Sequence, residues 1–433
     1  MDIVVYPSEP LADKIQAILQ RRIGISDDVD EAVRQIVRQV RDRGDVAVAE
    51  YTERFDGVSV GGAGSRMTPE ALQAALEGLD GSLRGAIEAA AANIRSFHEN
   101  QREKSWFVED GEGVLLGKKV TAIDRLGICV PAGEVPLFSS LLMCAIPAQI
   151  AGVKEICVVS PPQQNGQAHP VIAAAAQLLG IAEVHAIGGA QAVAAMAYGT
   201  ETVAPVDKIV GPGSPYTVAA QKQVFGLVGI PMLPGPSEIA VVADADADPS
   251  YIAADLLSQA EHGWGVASVC ITDSPQLADA VNAEVDRQLD SLPRAEAVRA
   301  ALEEYGAIVV VDALETGLEL LNRMAPEHAE LLVADPWRWV DGVRHCGAVF
   351  LGAASSEPVG DYFAGTNHVL PTNGAARYAS SLGVGDFVKT TSVIAYTQMR
   401  LRETYATIAQ LARAESLEAH ARAVEIRCKE MES

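Results

Sequence analysis

At 433 residues the chain is too long for one ordinary compact core and long enough for two. A formal net charge of -24 and a pI near 4.7 would repel phosphate backbones and anionic lipid, which argues against nucleic-acid and membrane-surface partners. The six cysteines (Cys129, Cys144, Cys157, Cys270, Cys346, Cys428) form neither a C-x-x-C pair nor a dense framework, as expected of reduced thiols in a cytoplasm.

The opening M-D-I-V-V-Y-P-S-E-P lacks the basic start and apolar core of a signal peptide. Residues 28–54 carry Val33, Ile36, Val37 and Val40 at helical spacing with charges opposite, and a helical pattern continues from Met67 to about Lys104, with Gly81 as a break. Trp106 to Val130 reads as short strands in a hairpin, separated by D-G-E-G and G-K-K. The most apolar stretch, Leu137 to Val153, is too short for a membrane span and is expected as a helix buried in protein.

From Gly127 onward, short β-branched runs (L-G-I-C-V-P, E-I-C-V-V-S, E-V-H-A-I-G-G, K-I-V-G-P-G) alternate with small-residue turns and helix-like segments. After L-P-G-P-S-E at 233–238 a second series follows, I-A-V-V-A-D, A-S-V-C-I-T-D, A-I-V-V-V-D and G-A-V-F-L-G, joined by helices near 250–262, 275–303 and 315–324. Strands alternating with helices imply parallel βαβ units, so two α/β domains are expected. The last fifty or so residues read as a helical tail without a core, which would dock on something, such as another subunit.

Five groups of segments could carry chemistry. The glycine-rich I-G-G-A-Q-A at 187–192 and V-G-P-G-S-P-Y at 210–216 could let backbone approach a phosphate, or be plain tight turns; neither is G-x-G-x-x-G. In S-Q-A-E-H-G at 258–263, Gln259 and His262 at i and i+3 could ligate one metal, or mark a solvated helix end. In M-A-P-E-H-A-E at 324–330, Glu327 and His328 could be general bases for two steps, or part of an N-capping turn. The loop G-D-Y-F-A-G-T-N-H-V-L-P-T at 360–372 offers Asp361 as a metal ligand and Asn367 or His368 for substrate, at a strand end where α/β proteins place function. In the tail, Glu415 and His420 are a weak pair that alone reads as a solvated helix face.

Together and in this order, these segments resemble the histidinol dehydrogenase family. The likeness runs from R-D-R-G-D at 41–45 through L-M-C-A-I-P-A-Q-I-A-G-V, V-D-K-I-V-G-P-G and D-L-L-S-Q-A-E-H to the 360–372 loop and A-V-E-I-R. It implies two Rossmann-like α/β domains with parallel sheets plus helical N-terminal and C-terminal extensions: an extension over 1–26, a first domain from 27–129 with 239–381, a second on the cofactor side over 130–238, and a tail over 382–433 that crosses to the partner of a homodimer. It implies one zinc ion per subunit, held by Gln259, His262, Asp361 and His420, and oxidation of an amino alcohol to an amino acid by two hydride transfers to two NAD molecules. His328 would take the alcohol proton and Glu327 would activate water. Ser237, Gln259, His262, His328, Asp361, His368, Glu415 and His420 would face substrate, with Glu415 and His420 completing the neighbour's site.

Of the cofactor positions the resemblance implies, Gln191 matches the family pattern, while Cys129 and Ser214 depart from it. Its Y-V-P-G-G reads Cys129-Val130-Pro131-Ala132-Gly133, its G-P-G-N ends in Ser214, its A-G-P-S-E reads Pro234-Gly235-Pro236-Ser237-Glu238, and its H-D-P reads His262-Gly263-Trp264. Two alternatives to histidinol oxidation follow: a relative oxidising another primary alcohol, such as a sulfonated diol, and a zinc- or ligand-binding relative without catalysis. No acidic residue of the Rossmann fingerprint separates NAD from NADP.

Overall fold

The computed structural model describes residues 1–8, 12–21, 24–60, 65–132, 135–263 and 265–429. The chain forms two compact units, Met1–Gln101 with Ile123–Asp386, and Arg102–Ala122 with Phe387–Ser433. The strands are β1 (Asp2–Tyr6), β2 (Trp106–Glu109), β3 (Val114–Ala122), β4 (Arg125–Cys129), β5 (Glu155–Ser160), β6 (Glu183–Ala186), β7 (Lys208–Val210), β8 (Glu238–Ala243), β9 (Ala267–Thr272), β10 (Gly306–Val311), β11 (His328–Leu332), β12 (Ala348–Leu351) and β13 (Val388–Tyr396).

The first unit holds two parallel sheets, a four-stranded one ordered β6-β5-β4-β7 and a six-stranded one ordered β1-β10-β9-β8-β11-β12. The two expected α/β cores are therefore present. The continuous apolar runs predict strands covered on both faces, and β8 and β9 are buried at every position. Two strands escape the hydrophobic pattern. β1 pairs in register with β10, Asp2 opposite Ala307, so the first residues are an edge strand of the six-stranded sheet. β11 is the short H-A-E-L-L, which Glu330 disguises; that side chain is fully buried.

The domain boundaries differ from those expected. β4 pairs with β5 and β7, so it belongs with the four-stranded sheet and not with 239–381. The helices between residues 27 and 56 follow it, while Asp13–Gln20 packs with the six-stranded sheet. The helix Asp27–Arg43 starts at Ser26, whose hydroxyl accepts from Val29 N–H, and ends at Gly44 with φ 56°. Its stripe Val33, Ile36, Val37 and Val40 packs with the alanine-rich helix Gly189–Tyr198 beside the four-stranded sheet, where small side chains allow close approach. Each such valine or isoleucine is worth roughly 1.5–3 kcal/mol of burial, which fixes where the helix docks. The helix Gly81–Glu99 likewise packs on Phe138–Ala151, which is buried along nearly its whole length, as expected. No helix among the described residues is long and apolar enough to cross a membrane.

In the second unit β13 pairs antiparallel with β3, which also pairs with β2; the helices Gln398–Ala414 and Glu418–Lys429 follow. The tail is thus not wholly helical: V-K-T-T-S-V-I-A-Y, rich in β-branched residues, forms a strand. Ile394, Met399 and Leu411 are 70, 66 and 65% exposed.

Candidate active site

β8 and β11 are neighbours, with His328 opposite Ile239. That register sets Glu327 beside Glu238, and the two residues bond reciprocally: Glu238 N–H donates to Glu327 Oε2 and Glu327 N–H donates to Glu238 Oε2, each at 3.1 Å. The Ser237 hydroxyl also hydrogen-bonds the Glu327 carboxylate. Burial, then the charges of Asp361 and Glu238, push Glu327 well above the usual carboxylate range, while these hydrogen bonds pull against them.

His328 Nδ1 lies 3.1 Å from Glu238 O and 3.0 Å from Gln259 Oε1. Two oxygen acceptors hold the ring proton on Nδ1, so Nε2 carries the lone pair. Nε2 is buried, has no hydrogen-bond partner among the described residues and lies 3.8 Å from Asp361 Oδ1. Burial pushes the imidazole down to about 3, so the ring is neutral and available as a proton acceptor.

Gln259 is fully buried in the last turn of the helix Pro249–Ala260, its Nε2 without a partner. His262 lies two residues beyond that helix and is exposed to the cavity. The Q-A-E-H segment therefore straddles a helix end, where His262 N–H donates to Gln259 O at 3.2 Å. Asp361 is not in a loop but on the short helix Glu357–Tyr362. Its carboxyl is pushed up to about 7 by burial. Ligand atoms of His262, Glu357 and Asp361 lie within 4.8 Å of one another.

Glu357 is the residue the sequence reading missed. The signal was there: Glu357 and Asp361 are four apart, which on a helix means one face. Burial and the Asp361 charge push Glu357 up to about 8, and Ser258 Oγ donates to it. His368 is held at both nitrogens, Nδ1 by Asp361 O at 2.9 Å and Nε2 by Ser140 Oγ at 3.3 Å. Asn367 turns away, donating to Met143 O at 2.7 Å, which makes it a packing residue.

One cavity of about 1100 Å³ runs from His262, Glu357 and Asp361 to Cys129, Gln191 and Ser214. On that far side β4, β6 and β7 end in turns. Gly189 has φ 67° and opens the helix Gly189–Tyr198, and Ser214 caps the helix Pro215–Val224 by accepting from Thr217 N–H at 3.4 Å. Helix N-termini with glycine approaches suit a phosphate group. Gln191 is 1% exposed and its Oε1 has no partner. Cys129 lines the wall but is buried, its thiol pushed up to about 12. Gly133 and Trp264 lie outside the described residues. Glu415 and His420 belong to the second unit, where both are exposed.

Sequence and fold comparisons place the chain in a family. The histidinol dehydrogenase family profile matches residues 19–428. The histidinol dehydrogenase of Geobacillus kaustophilus (strain HTA426) is 51% identical over 401 residues, 93% of this chain and 94% of that one. That of Bacillus subtilis (strain 168) is 48% identical over 397 residues, 92% of each chain. The crystal structure of histidinol dehydrogenase from Elizabethkingia anophelis superposes with a TM-score of 0.93 at 35% identity, covering 100% of this chain and 99% of that one. The fold and the site define an α/β oxidoreductase, and the chain belongs to the histidinol dehydrogenase family.

The residues present fit both groups that this family implies. An imidazole, two carboxylates and a buried amide make a mixed N/O set of the kind zinc accepts. The unpartnered Gln191 Oε1 and the glycine turns of the same cavity fit a dinucleotide.

Proposed function

We propose that the enzyme oxidises L-histidinol to L-histidine through L-histidinaldehyde, with one zinc ion per subunit and two NAD molecules per turnover, as a step of histidine biosynthesis in the cytoplasm. The observation that carries this reading is the single cavity joining the His262–Glu357–Asp361 cluster to the glycine turns around Gln191 and Ser214, with His328 Nε2 unpartnered beside Asp361.

Gln259, His262 and Asp361 hold the metal from one subunit, and His420 of the partner subunit completes the set. Zinc held there would supply a Lewis-acid anchor for the substrate, and NAD in the adjoining part of the cavity would supply the hydride acceptor. His328 takes the alcohol proton on Nε2 in the first oxidation, its Nδ1 proton fixed by Glu238 O and Gln259 Oε1. Glu327 takes a proton from the water that adds to the aldehyde; its high pKa makes its carboxylate a strong base. His368, held by Ser140 and Asp361, and Ser237 line the substrate position, with Glu415 of the partner subunit facing the cationic substrate. The exposed apolar residues Ile394, Met399 and Leu411 of the tail support a homodimer, since a face of this kind seeks a partner. The six free cysteines, four of them buried, support a reducing compartment.

The test is NADH formation by the zinc-loaded protein with L-histidinol, followed by a panel of amino alcohols and diols. Histidine with two NADH per molecule is the expected product. Turnover of another alcohol, such as a sulfonated diol, with none of histidinol overturns the substrate. Bound zinc with no NAD reduction for any alcohol overturns the enzyme.

A further inference from the structure

On the same unit, apart from the cavity just described, a second cavity of about 610 Å³ is lined by Arg323, Arg344 and Arg377, with His345, Asn322 and Glu319. In a chain of 57 acidic and 33 basic residues this is an unusual concentration of positive charge. Several exposed arginines elsewhere are matched by carboxylates, as Arg34 is by Glu31, Arg43 by Glu50, Arg287 by Glu284 and Arg413 by Glu425. Among the described residues none of these three forms an ion pair, and Glu319 is the one carboxylate in the lining.

Two of the three guanidinium groups are set in place, that of Arg377 by backbone oxygens and that of Arg323 by a tyrosine hydroxyl. Arg377 donates to Gly374 O at 3.0 Å and to Arg323 O, and Arg323 donates to the Tyr6 hydroxyl. The buried Asn322 holds the turn carrying Arg344: its Oδ1 accepts from Arg344 N–H at 2.7 Å and His345 N–H at 3.2 Å, and its Nδ2 donates to Gly342 O at 2.8 Å. The Arg344 side chain makes no hydrogen bond among the described residues and is exposed. Planar, weakly hydrated guanidinium forks read phosphate oxygens in pairs. In a field of net charge -24, an anion is held only where such a cluster outweighs the surrounding repulsion.

Three chain segments lead from this cavity to the base Glu327. Leu19 lines it, and two residues on Arg21 pairs with the Glu238 carboxylate, which accepts Glu327 N–H. Arg323 lines it, four residues before Glu327, with Ala325 between them at φ 51°. Arg377 lines it, and Asn373, at φ 53°, donates its N–H to Glu238 Oε1 at 2.9 Å. Ala325 and Asn373 are two of three non-glycine residues with positive φ among those described. These three segments connect the arginines to the Glu238 carboxylate by short covalent and hydrogen-bonded links.

We infer that the arginine cavity is a second binding site, taking a small phosphate-bearing metabolite, and that its occupancy changes turnover through the Glu238–Glu327 hydrogen bonds. The second half rests on Glu327 acting as the base; the first does not.

The experiment titrates inorganic phosphate into the zinc-loaded protein at fixed ionic strength, with chloride as control, reading thermal shift and ³¹P line width. The kcat for histidinol is measured alongside. Saturable binding of phosphate is expected, weakened about tenfold in Arg344→Gln by the loss of one charge-assisted hydrogen bond and lost in Arg344→Glu with Arg377→Glu. The kcat is expected to change on phosphate addition in the wild type but not in the double variant. Phosphate binding no tighter than chloride, or equal in all three proteins, overturns the site. Binding that leaves kcat unmoved supports the site and overturns its link to Glu327. Because binding is read without turnover, failure of the histidinol reading is distinguishable from failure of this one.

Discussion

The two parallel sheets of the first unit serve one cavity by opposite ends, the four-stranded sheet directly and the six-stranded sheet through Asp361, which lines the cavity and lies 3.8 Å from His328 Nε2. The four-stranded sheet offers its carboxyl ends, after Cys129, Ala186 and Val210, where open α/β sheets ordinarily bind ligands. The six-stranded sheet offers its amino ends: Glu238 opens β8 and His328 opens β11, while Gln259 and Asp361 come from helices that run back to that end. The first arrangement supplies backbone N–H groups and glycine turns. The second supplies polar side chains, of which Glu238, Glu327, Gln259 and His328 are buried and held by named hydrogen bonds. A cofactor cradle can be built from backbone, whereas proton transfer and metal binding need side chains whose orientation is fixed, and the division of labour follows from that.

The comparison can be broken at several points. The largest effect is expected at the amino ends of the six-stranded sheet. His262→Ala and Asp361→Ala should reduce turnover to background and lower the zinc content measured by metal analysis, and a chelator should do the same to the wild type. Retained activity in either variant sinks the metal assignment.

A smaller and different effect is expected at the carboxyl ends of the four-stranded sheet. A Cβ at Gly213 would meet Thr217 Cγ2 at 2.4 Å. Overpacking of this kind costs about 1–3 kcal/mol, so Gly213→Val should raise KM for NAD about 5- to 100-fold and leave KM for histidinol near its wild-type value. Equal changes in both constants would mean that the two ends are not separate in function.

Smaller again is the cost of removing the Ser214 cap. Ser214→Ala should lower stability by about 1 kcal/mol, seen in denaturant unfolding.

The smallest effect on activity is expected at the amino ends of the four-stranded sheet, away from the cavity. There Arg125 donates to Glu183 at 2.6 Å, and His185 Nε2 lies 3.2 Å from it. Burial alone would raise Glu183, but the hydrogen bonds and charges of His185 and Arg125 outweigh it and hold the carboxyl down at about 2, against an ordinary 4.5. A depressed carboxylate stabilises the fold fully above pH 4.5, and that contribution fades as pH falls through the folded value near 2. Glu183→Gln should therefore cost about 2–3 kcal/mol at neutral pH, progressively less below pH 4.5, with both KM values unchanged. A pH-independent deficit would contradict the ion-pair account.

How much of this was legible in the sequence differs between the sheets in the same way. The apolar runs of β4, β5, β8, β9 and β10 announce themselves, because strands buried on both faces are hydrophobic throughout. β11 does not, because it carries Glu330 into the core, and β1 is short and at an edge. Asp361, His262, Glu327 and His328 stand out as polar residues in small-residue segments, and spacing alone could have added Glu357. The partnership of Arg21 with Glu238 joins positions 217 residues apart and leaves no local trace. The N-terminal helices could be recognised from their stripes, but a stripe does not say which sheet it covers; the alanine-rich partner helix decides that.

The most direct test of the division between metal ligands and bases is the Glu327→Gln enzyme, purified with zinc and assayed for metal content and histidine formation. The account predicts full zinc occupancy with histidine formation slowed by about 10²–10⁴-fold. Loss of zinc, or histidine formed at the wild-type rate, would contradict it.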